Sequence, residues 1–132
     1  MAIEAPGIHS WTFEAGADLR TKQYCFVKLD TNGKVIAIAA VTDNPVGILQ
    51  NKPNSGEVAE VLLFGISKLK GNAAMTLGAF IGPHSDGTAA IYAHGSDTTK
   101  YIVGQVVPGG ATTAQGGIGS VIFSCLGLGR AA

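Results

Sequence analysis

The sequence contains few charged and few aromatic residues. Only 14% of its 132 residues are charged and 7% are aromatic, and nine basic side chains balance nine acidic ones. Like charges form no block, so the clustered Lys and Arg that bind nucleic-acid phosphates are missing. We therefore expect no nucleic-acid partner. Zero net charge also leaves association with itself or with a scaffold unopposed by electrostatic repulsion.

Long apolar runs are also missing. The chain starts without a basic region followed by an apolar stretch, and no segment approaches the roughly 18 apolar residues of a membrane span. We therefore expect a protein that is made and kept in aqueous cytoplasm, with no membrane partner. The two cysteines, Cys25 and Cys125, lie far apart within apolar stretches. This placement favours two buried thiols over a disulfide or a redox pair.

Helical periodicity is almost absent from the chain. Nineteen glycines and five prolines interrupt nearly every window of a dozen residues, so no apolar pattern of helical period persists. Strands are predicted where β-forming residues lie between clusters of Gly, Pro, Asn, Asp or Ser. The predicted strands cover residues 24–29, 34–39, 46–49, 58–68, 79–81, 88–93, 101–107 and 118–126.

Short strands with regular turn signals predict an all-β fold, either a small sandwich or a barrel. The Asn32-Gly33 pair is typical of a tight hairpin turn and joins the first two strands. Gly65 lies inside the predicted strand at residues 58–68 and marks a bend or bulge there.

An internal repeat is the most informative feature of the sequence. Aligning Phe26 with Phe80 also brings Gly33 onto Gly87 without a gap. Residues from about 17 to 65 and from about 71 to 124 therefore read as two copies of one β unit. Units this short cannot bury their own apolar faces, so we expect the two to pack against each other in one pseudo-symmetric core, within a single domain over residues 15–132. Chance similarity between strands rich in Gly and Val is the alternative interpretation.

Residues 1–14 read as an extended N-terminal arm that precedes the first copy. The arm carries three large apolar side chains, Ile8, Trp11 and Phe13, including the one Trp of the chain. Such side chains must either fold back onto the core or become buried in a partner. Both alternatives stay open, and we take the three residues as candidate interface residues.

Motifs for catalysis or cofactor binding are missing. The sequence has no P-loop, dinucleotide fingerprint, nucleophile elbow or zinc-protease helix motif. The Gly-rich segment at residues 108–117 lacks a Lys and a helix start, so it reads as a surface loop rather than a phosphate-binding loop. We therefore expect a protein that is not an enzyme and binds no cofactor.

Two loops contain residue types of a hydrolytic triad. They are His84-Ser85-Asp86 and residues 94–97, which begin with His94. Neighbouring residues in one loop cannot readily form the relay in which a base activates a nucleophile. If the two loops met, their His and Asp side chains could bind a metal. We favour ordinary turn chemistry and predict no metal site.

Several motifs occur together in a fixed order along the chain. They are AGADLxxKQYxFVKLDxxGKV at residues 15–35, NPVGILQNKP at residues 44–53, GEVAEV at residues 56–61, GISK at residues 65–68 and SVIF at residues 120–123. In order and spacing they resemble the bacteriophage capsid cement, or head decoration, family. The resemblance covers most of the chain and is strongest in its first half.

The resemblance implies a structural virion protein on the outer capsid surface. Members of the family bind the expanded head, commonly as homotrimers, and stabilise contacts between major capsid subunits. The implied partners are therefore the major capsid protein and the chain itself. The family offers no known catalytic residue to carry over.

The loop at residues 50–57 is a second candidate contact, because it is polar, contains Pro and is expected to be exposed. Its candidate interface residues are Gln50, Asn51, Lys52 and Asn54. A phage tail or fibre accessory module, or a carbohydrate-binding β module, is the alternative function. An enzyme that uses the two His loops is a third interpretation.

Overall fold

The computed structural model describes residues 9–108, 115–125 and 129–130. These residues contain strands and no helix, so the predicted all-β fold is confirmed. No helix in the described part of the chain is long or apolar enough to cross a membrane. The strands are β1 Ser10–Glu14, β2 Phe26–Leu29, β3 Val35–Ala37, β4 Gly47–Leu49, β5 Val58–Leu62, β6 Phe64–Lys70, β7 Phe80–Pro83, β8 Ala89–Ile91, β9 Tyr101–Ile102, β10 Gly104–Val106, β11 Ile118–Ser124 and β12 Gly129–Arg130.

Two five-stranded antiparallel sheets contain ten of these strands. Their strand orders are β1-β5-β4-β2-β3 and β6-β11-β10-β7-β8, and β9 pairs with β12 in a separate ribbon. The two orders become identical when β1 is matched with β6 and β5 with β11. The predicted construction from two β units is therefore confirmed. We call residues 10–62 unit 1 and residues 64–124 unit 2.

The repeat extends to individual bridges between strands. Ala15, just after β1, forms a parallel bridge with Val35 in β3, and Gly71, just after β6, forms the same bridge with Ala89 in β8. In each unit this bridge joins the end of the first edge strand to the opposite edge of the sheet. Both sheets therefore curl strongly.

Two equivalent glycines lie where neighbouring strands approach too closely for a side chain. A Cβ atom on Gly47 in β4 would lie 2.3 Å from the carbonyl oxygen of Leu62, and one on Gly104 in β10 would lie 2.6 Å from that of Ile122. Side chains do not fit at such distances, which explains why both copies have Gly at this position.

The strand predicted over residues 58–68 is two strands in different sheets. β5 ends at Leu62, β6 begins at Phe64, and the chain passes from unit 1 to unit 2 between them. Gly65 has a φ of 122°, which a residue with a side chain rarely adopts. The bend expected at Gly65 therefore lies beside the crossover between the two units.

The two sheets stack with the same orientation, so that one sheet packs its outer face against the inner face of the other. We call the face of unit 1 that carries Phe26 and Ile48 its outer face and the opposite face its inner face. The faces of unit 2 are named by the equivalent positions of the repeat. Both side chains are fully buried in one core cluster with Val121 and Phe123, which lie on the inner face of unit 2. The Phe26 and Phe123 rings meet edge to face, with centroids 6.4 Å apart. Unit 1 therefore covers the inner face of unit 2 with its outer face.

The inner face of unit 1 has a core of its own, so the prediction of one core for both units is wrong. Seven fully or almost fully buried residues form this core, and Phe13, Ala37, Val46 and Leu63 pack against it. The seven are Ala15, Leu19, Val27, Val35, Leu49, Ala59 and Val61.

Cys25 and Cys125 are both buried and free, as the sequence predicts. Burial raises the pKa of the Cys25 thiol and raises that of Cys125 to about 12. Because the thiolate is the reactive form, both groups are protected from reaction in the folded protein.

Candidate interaction surfaces

The described part of the predicted arm is an edge strand of unit 1. In β1, Trp11 pairs with Val61 and Phe13 pairs with Ala59. Both aromatic side chains are half-buried, and Phe13 packs against the inner core of unit 1. For residues 10–14 the structure therefore shows the folded-back alternative. The candidate residue Ile8 lies outside the described residues.

Gln50 uses its side chain within the fold. Its Nε2 atom donates hydrogen bonds to the carbonyl of Ile48 and to Oγ of Ser67, both at 3.0 Å. The backbone carbonyl of Gln50 accepts a hydrogen bond of 2.9 Å from Nε2 of Gln23. Since Ser67 belongs to β6, Gln50 links unit 1 to unit 2. Its half-buried side chain is tied to the protein's own groups.

Asn51 also bonds to its own protein. Its Nδ2 atom donates to the carbonyl of Val58 at 2.9 Å, and its Oδ1 atom accepts from the amide of Glu60 at 3.0 Å. A carboxylate oxygen of Glu57 accepts a hydrogen bond of 2.9 Å from the backbone amide of Asn54. The loop at residues 50–57 is therefore held in one shape by its own side chains.

Lys52 is the candidate residue of this loop that is exposed. The next residue, Pro53, is buried, and its carbonyl accepts a hydrogen bond of 3.0 Å from the amide of Leu19. Further along, the amide of Ala15 donates to the carbonyl of Glu57 at 2.8 Å. The loop is thus anchored beside the end of β1 and presents the Lys52 ammonium to solvent.

The two His loops have separate structural surroundings. The side chain of His84 lies 3.4 Å from a carboxylate oxygen of Asp86, at the tip of the β7–β8 hairpin. Burial raises the pKa of Asp86, but hydrogen bonds from the Thr88 hydroxyl and amide outweigh it, and the net pKa is lowered. The ring of His94 lies edge to face with Phe80 at 5.7 Å. Among the described residues, no group of three or more His, Cys, Asp or Glu could hold a metal ion.

Sequence reasoning missed an exposed apolar row on unit 2. Phe80, Gln105, Ile122 and Ile66 are cross-strand neighbours in adjacent strands of the second sheet. Ile66 is 65% exposed, Ile122 48% and Phe80 46%. In the repeat, Phe80 corresponds to the fully buried Phe26. The row is therefore the outer face of unit 2, and none of the residues that the structure describes covers it.

An open groove of about 580 Å³ runs over this face. Phe64, Phe80, Ile102 and Ile122 supply its apolar side chains, and Gln105 lies among them. The local cause is an alternation in β11, where Val121 and Phe123 are buried while Ile122 between them is exposed. The signal in the sequence is Ile122, an apolar residue at a position where the alternation of β11 predicts a solvent-exposed side chain.

Comparisons with known proteins support the fold. Neither a protein-family model nor a curated protein matches the sequence. The crystal structure of the head fiber gp8.5 N base in bacteriophage phi29 is similar, with a TM-score of 0.65 and 16% sequence identity. The match covers 88% of this chain and 93% of that chain. The two proteins therefore share one fold over most of the length of each chain.

Proposed function

We propose that this chain is a structural protein of a bacteriophage virion. In this proposal it binds the outer surface of the expanded head and stabilises contacts between major capsid subunits. The observation that carries the proposal is the fold shared with the phi29 head fiber N base over nearly the full length of both chains. The ordered motifs that resemble the capsid cement family support the same class of protein.

The loop at residues 50–57 is the proposed contact with the head. A loop that is already fixed by hydrogen bonds of Asn51 and Asn54 loses little conformational entropy on binding. Its exposed Lys52 would meet acidic or carbonyl groups of a capsid subunit. The proposed assembly is a homotrimer, in which weak contacts of each copy add up to strong attachment.

Sedimentation with heads tests this proposal. Purified protein is mixed with expanded heads that lack it, the heads are pelleted, and the bound copies per major capsid subunit are counted. The proposal predicts saturation at a fixed ratio that fits threefold positions. Failure to pellet with heads at any concentration would overturn it.

A charge reversal on the loop tests the contact itself. Lys52→Glu is expected to weaken head binding about tenfold or more, since one attractive contact becomes repulsive at every copy. Lys34→Glu is the matched control, because it makes the same charge change at an exposed ion pair with Glu14 on unit 1 and should leave binding unchanged. Equal affinity of Lys52→Glu and the wild type would exclude this loop from the interface.

The similarity to a fiber base favours a second candidate function. In it, the chain is a fibre accessory module that attaches to the head without strengthening it. Both candidates predict sedimentation with heads, but only the first predicts heads that become more resistant to rupture.

A further inference from the structure

We propose that the outer face of unit 2 binds an amphipathic helix of another protein, with the helix's apolar side chains in the groove and its carboxylates on Lys68 and Lys70. The apolar part of this surface is the exposed row described above and the groove beside it. The proposal rests on the fold and charges of this chain and does not depend on head binding.

The exposed apolar surface is the first reason to expect a partner. Besides the three large apolar side chains of the row, Ile118 in β11 is 48% exposed. Contiguous apolar patches on soluble proteins mark interaction sites, because leaving them in water is unfavourable. The groove of about 580 Å³ lies within the range of about 300–1,000 Å³ that is typical of binding pockets. The face therefore has both the apolar area and the concave shape of a docking site.

A pair of lysines continues this face along β6. Ile66, Lys68 and Lys70 alternate with buried residues of the strand, so they project from the same side, about 7 Å from one to the next. The five strands of unit 2 contain these two lysines and no Asp or Glu. Those of unit 1 contain one Lys and two Glu. The sheet of unit 2 is therefore positively charged, and carboxylates of a partner would complement it.

Neither lysine is neutralised by an ion pair within the described part of the chain. The ion pairs found there are formed by Arg20, Lys28, Lys34, His84 and Lys100. Nζ of Lys68 lies 5.5 Å from the centre of the Tyr24 ring, which positions the ammonium group without removing its charge. The cross-strand neighbour of Lys68 is the uncharged Ser120. The charge on this side of the face is therefore available to a partner.

The shortage of polar groups on the face limits the form of the partner. Gln105 lies in the centre of the row, but its Nε2 atom already donates to the carbonyl of Gly78 at 2.9 Å. An extended segment laid on this face would leave its own backbone amides and carbonyls without partners, which is unfavourable. A helix satisfies these groups internally and packs apolar side chains at i, i+3, i+4 and i+7 into a groove. The face therefore favours a helix.

The dimensions of the face set the length and direction of this helix. From Phe64 at the groove to Lys70, β6 runs for about 20 Å. A helix rises about 1.5 Å per residue, so about 13 residues span this distance. The C-terminal end of a helix carries a partial negative charge, which favours its position beside the lysines. The expected segment therefore has apolar side chains in its first turns and Asp or Glu in its last turn.

Fluorescence anisotropy with a synthetic helix tests the proposal. The probe is a lactam-stapled, fluorescein-labelled peptide of about 14 residues, with Leu at i, i+3, i+4 and i+7 and Glu in its last turn. The wild type should bind this probe, and binding should weaken as NaCl is raised, because salt screens exposed charges. The same peptide with Lys in place of Glu should bind at least about tenfold more weakly.

Matched variants locate the binding surface. Lys68→Glu should weaken binding of the probe at least about tenfold, whereas Lys34→Glu, the same charge change on unit 1, should leave it unchanged. Ile122→Thr should also weaken binding, whereas Val58→Thr, at an exposed residue of unit 1, should not. Thr keeps the β-branched shape that suits strands, and urea denaturation of each variant separates lost binding from lost folding.

A wild type that does not bind the probe would overturn the proposal. So would equal weakening by Lys34→Glu, or binding that NaCl and Lys68→Glu leave unchanged. Without probe binding, pelleting with vesicles of phosphatidylglycerol and phosphatidylcholine would assign the face to a membrane, and an oligomer that Ile122→Thr dissociates would assign it to a second copy. A chain that binds the probe but no heads would retain this surface and overturn only the proposed function.

Discussion

Tyr24 and Gly78 occupy the same position in the two units, and both have a positive φ, 62° and 79° respectively. Their amides donate to equivalent carbonyls, that of Tyr24 to Leu49 at 2.7 Å and that of Gly78 to Val106 at 2.9 Å. Gly adopts this conformation freely, whereas a residue with a side chain pays roughly 1–2 kcal/mol. Contacts between the units offset this cost in unit 1, since Nζ of Lys68 lies 5.5 Å from the centre of the Tyr24 ring.

This equivalence predicts that substitutions at the two positions differ in their effect on stability. Gly78→Ala should lower the free energy of unfolding by about 1 kcal/mol, because Ala must adopt the left-handed conformation. Tyr24→Gly should change it by less than about 1 kcal/mol, because relief of the backbone offsets the lost ring contact. Urea denaturation measures both. A neutral Gly78→Ala would contradict the assigned backbone conformation.

Phe26 and Phe80 align in the repeat but differ in burial, being 0% and 46% exposed. Phe26→Ala should therefore lower the free energy of unfolding by about 3–5 kcal/mol. Phe80→Ala removes an exposed side chain and should cost less than about 1 kcal/mol. The same denaturation experiment compares the two. Similar losses at both positions would mean that the units do not stack in one direction.

A single carboxylate holds the turn after β3. One oxygen of Asp43 accepts hydrogen bonds from Nζ of Lys28 at 2.8 Å and from the amides of Ala39 and Ala40 at 2.8 and 2.9 Å. The bond from Lys28, assisted by the two amides, lowers the pKa of Asp43. A carboxylate with a lowered pKa in the folded state stabilises the protein above its unfolded pKa, and this stabilisation is lost as the pH falls through the folded pKa.

Stability should accordingly decline on acidification below about pH 4. Asp43→Asn should lower the free energy of unfolding by about 1 kcal/mol at pH 7 and should flatten its dependence on pH in the acid range. Denaturation at a series of pH values checks this. Glu60→Gln, which removes one exposed negative charge, serves as the control. If the free energy of unfolding of Asp43→Asn fell with pH as steeply as that of the wild type, protonation of Asp43 would not be the cause of the acid destabilisation.

The two thiols should react only when the protein opens. With burial raising both pKa values, that of Cys125 to about 12, a disulfide reagent at pH 8 should modify neither thiol quickly. Both should react at once in guanidinium. In the Cys25→Ala variant, any slow modification of the native protein belongs to Cys125. Rapid labelling of the native wild type would show that one of the two sites is open to solvent.

The sequence predicts where strands lie better than which faces are covered. Alternation and turn residues located the strands, and the alignment of Phe26 with Phe80 revealed the two units. The pattern could not show that the chain changes sheets at Leu63, because residues 58–68 read as one continuous strand with a bend at Gly65. Nor could it show that Phe26 is buried and Phe80 exposed, since that difference arises only from how one unit stacks on the other.

Candidate interface residues were harder to predict than the fold. Polar side chains beside a turn read as solvent-exposed, yet Gln50 and Asn51 satisfy backbone groups of their own protein. Trp11 and Phe13 read as an arm because they precede the first unit of the repeat. In the structure they belong to β1, the counterpart of β6. Local patterns do not contain this pairing, because the partner strand β5 lies almost fifty residues away.

The most direct test of the proposed function is the release of packaged DNA from heads on heating. Heads that lack the protein are compared with the same heads saturated with it, and free DNA is measured as the temperature rises. A stabilising virion protein should shift release to a higher temperature, and Lys52→Glu should lose the shift in proportion to its lost binding. Unchanged release at full saturation would contradict the stabilising role and favour an accessory module that only attaches to the head.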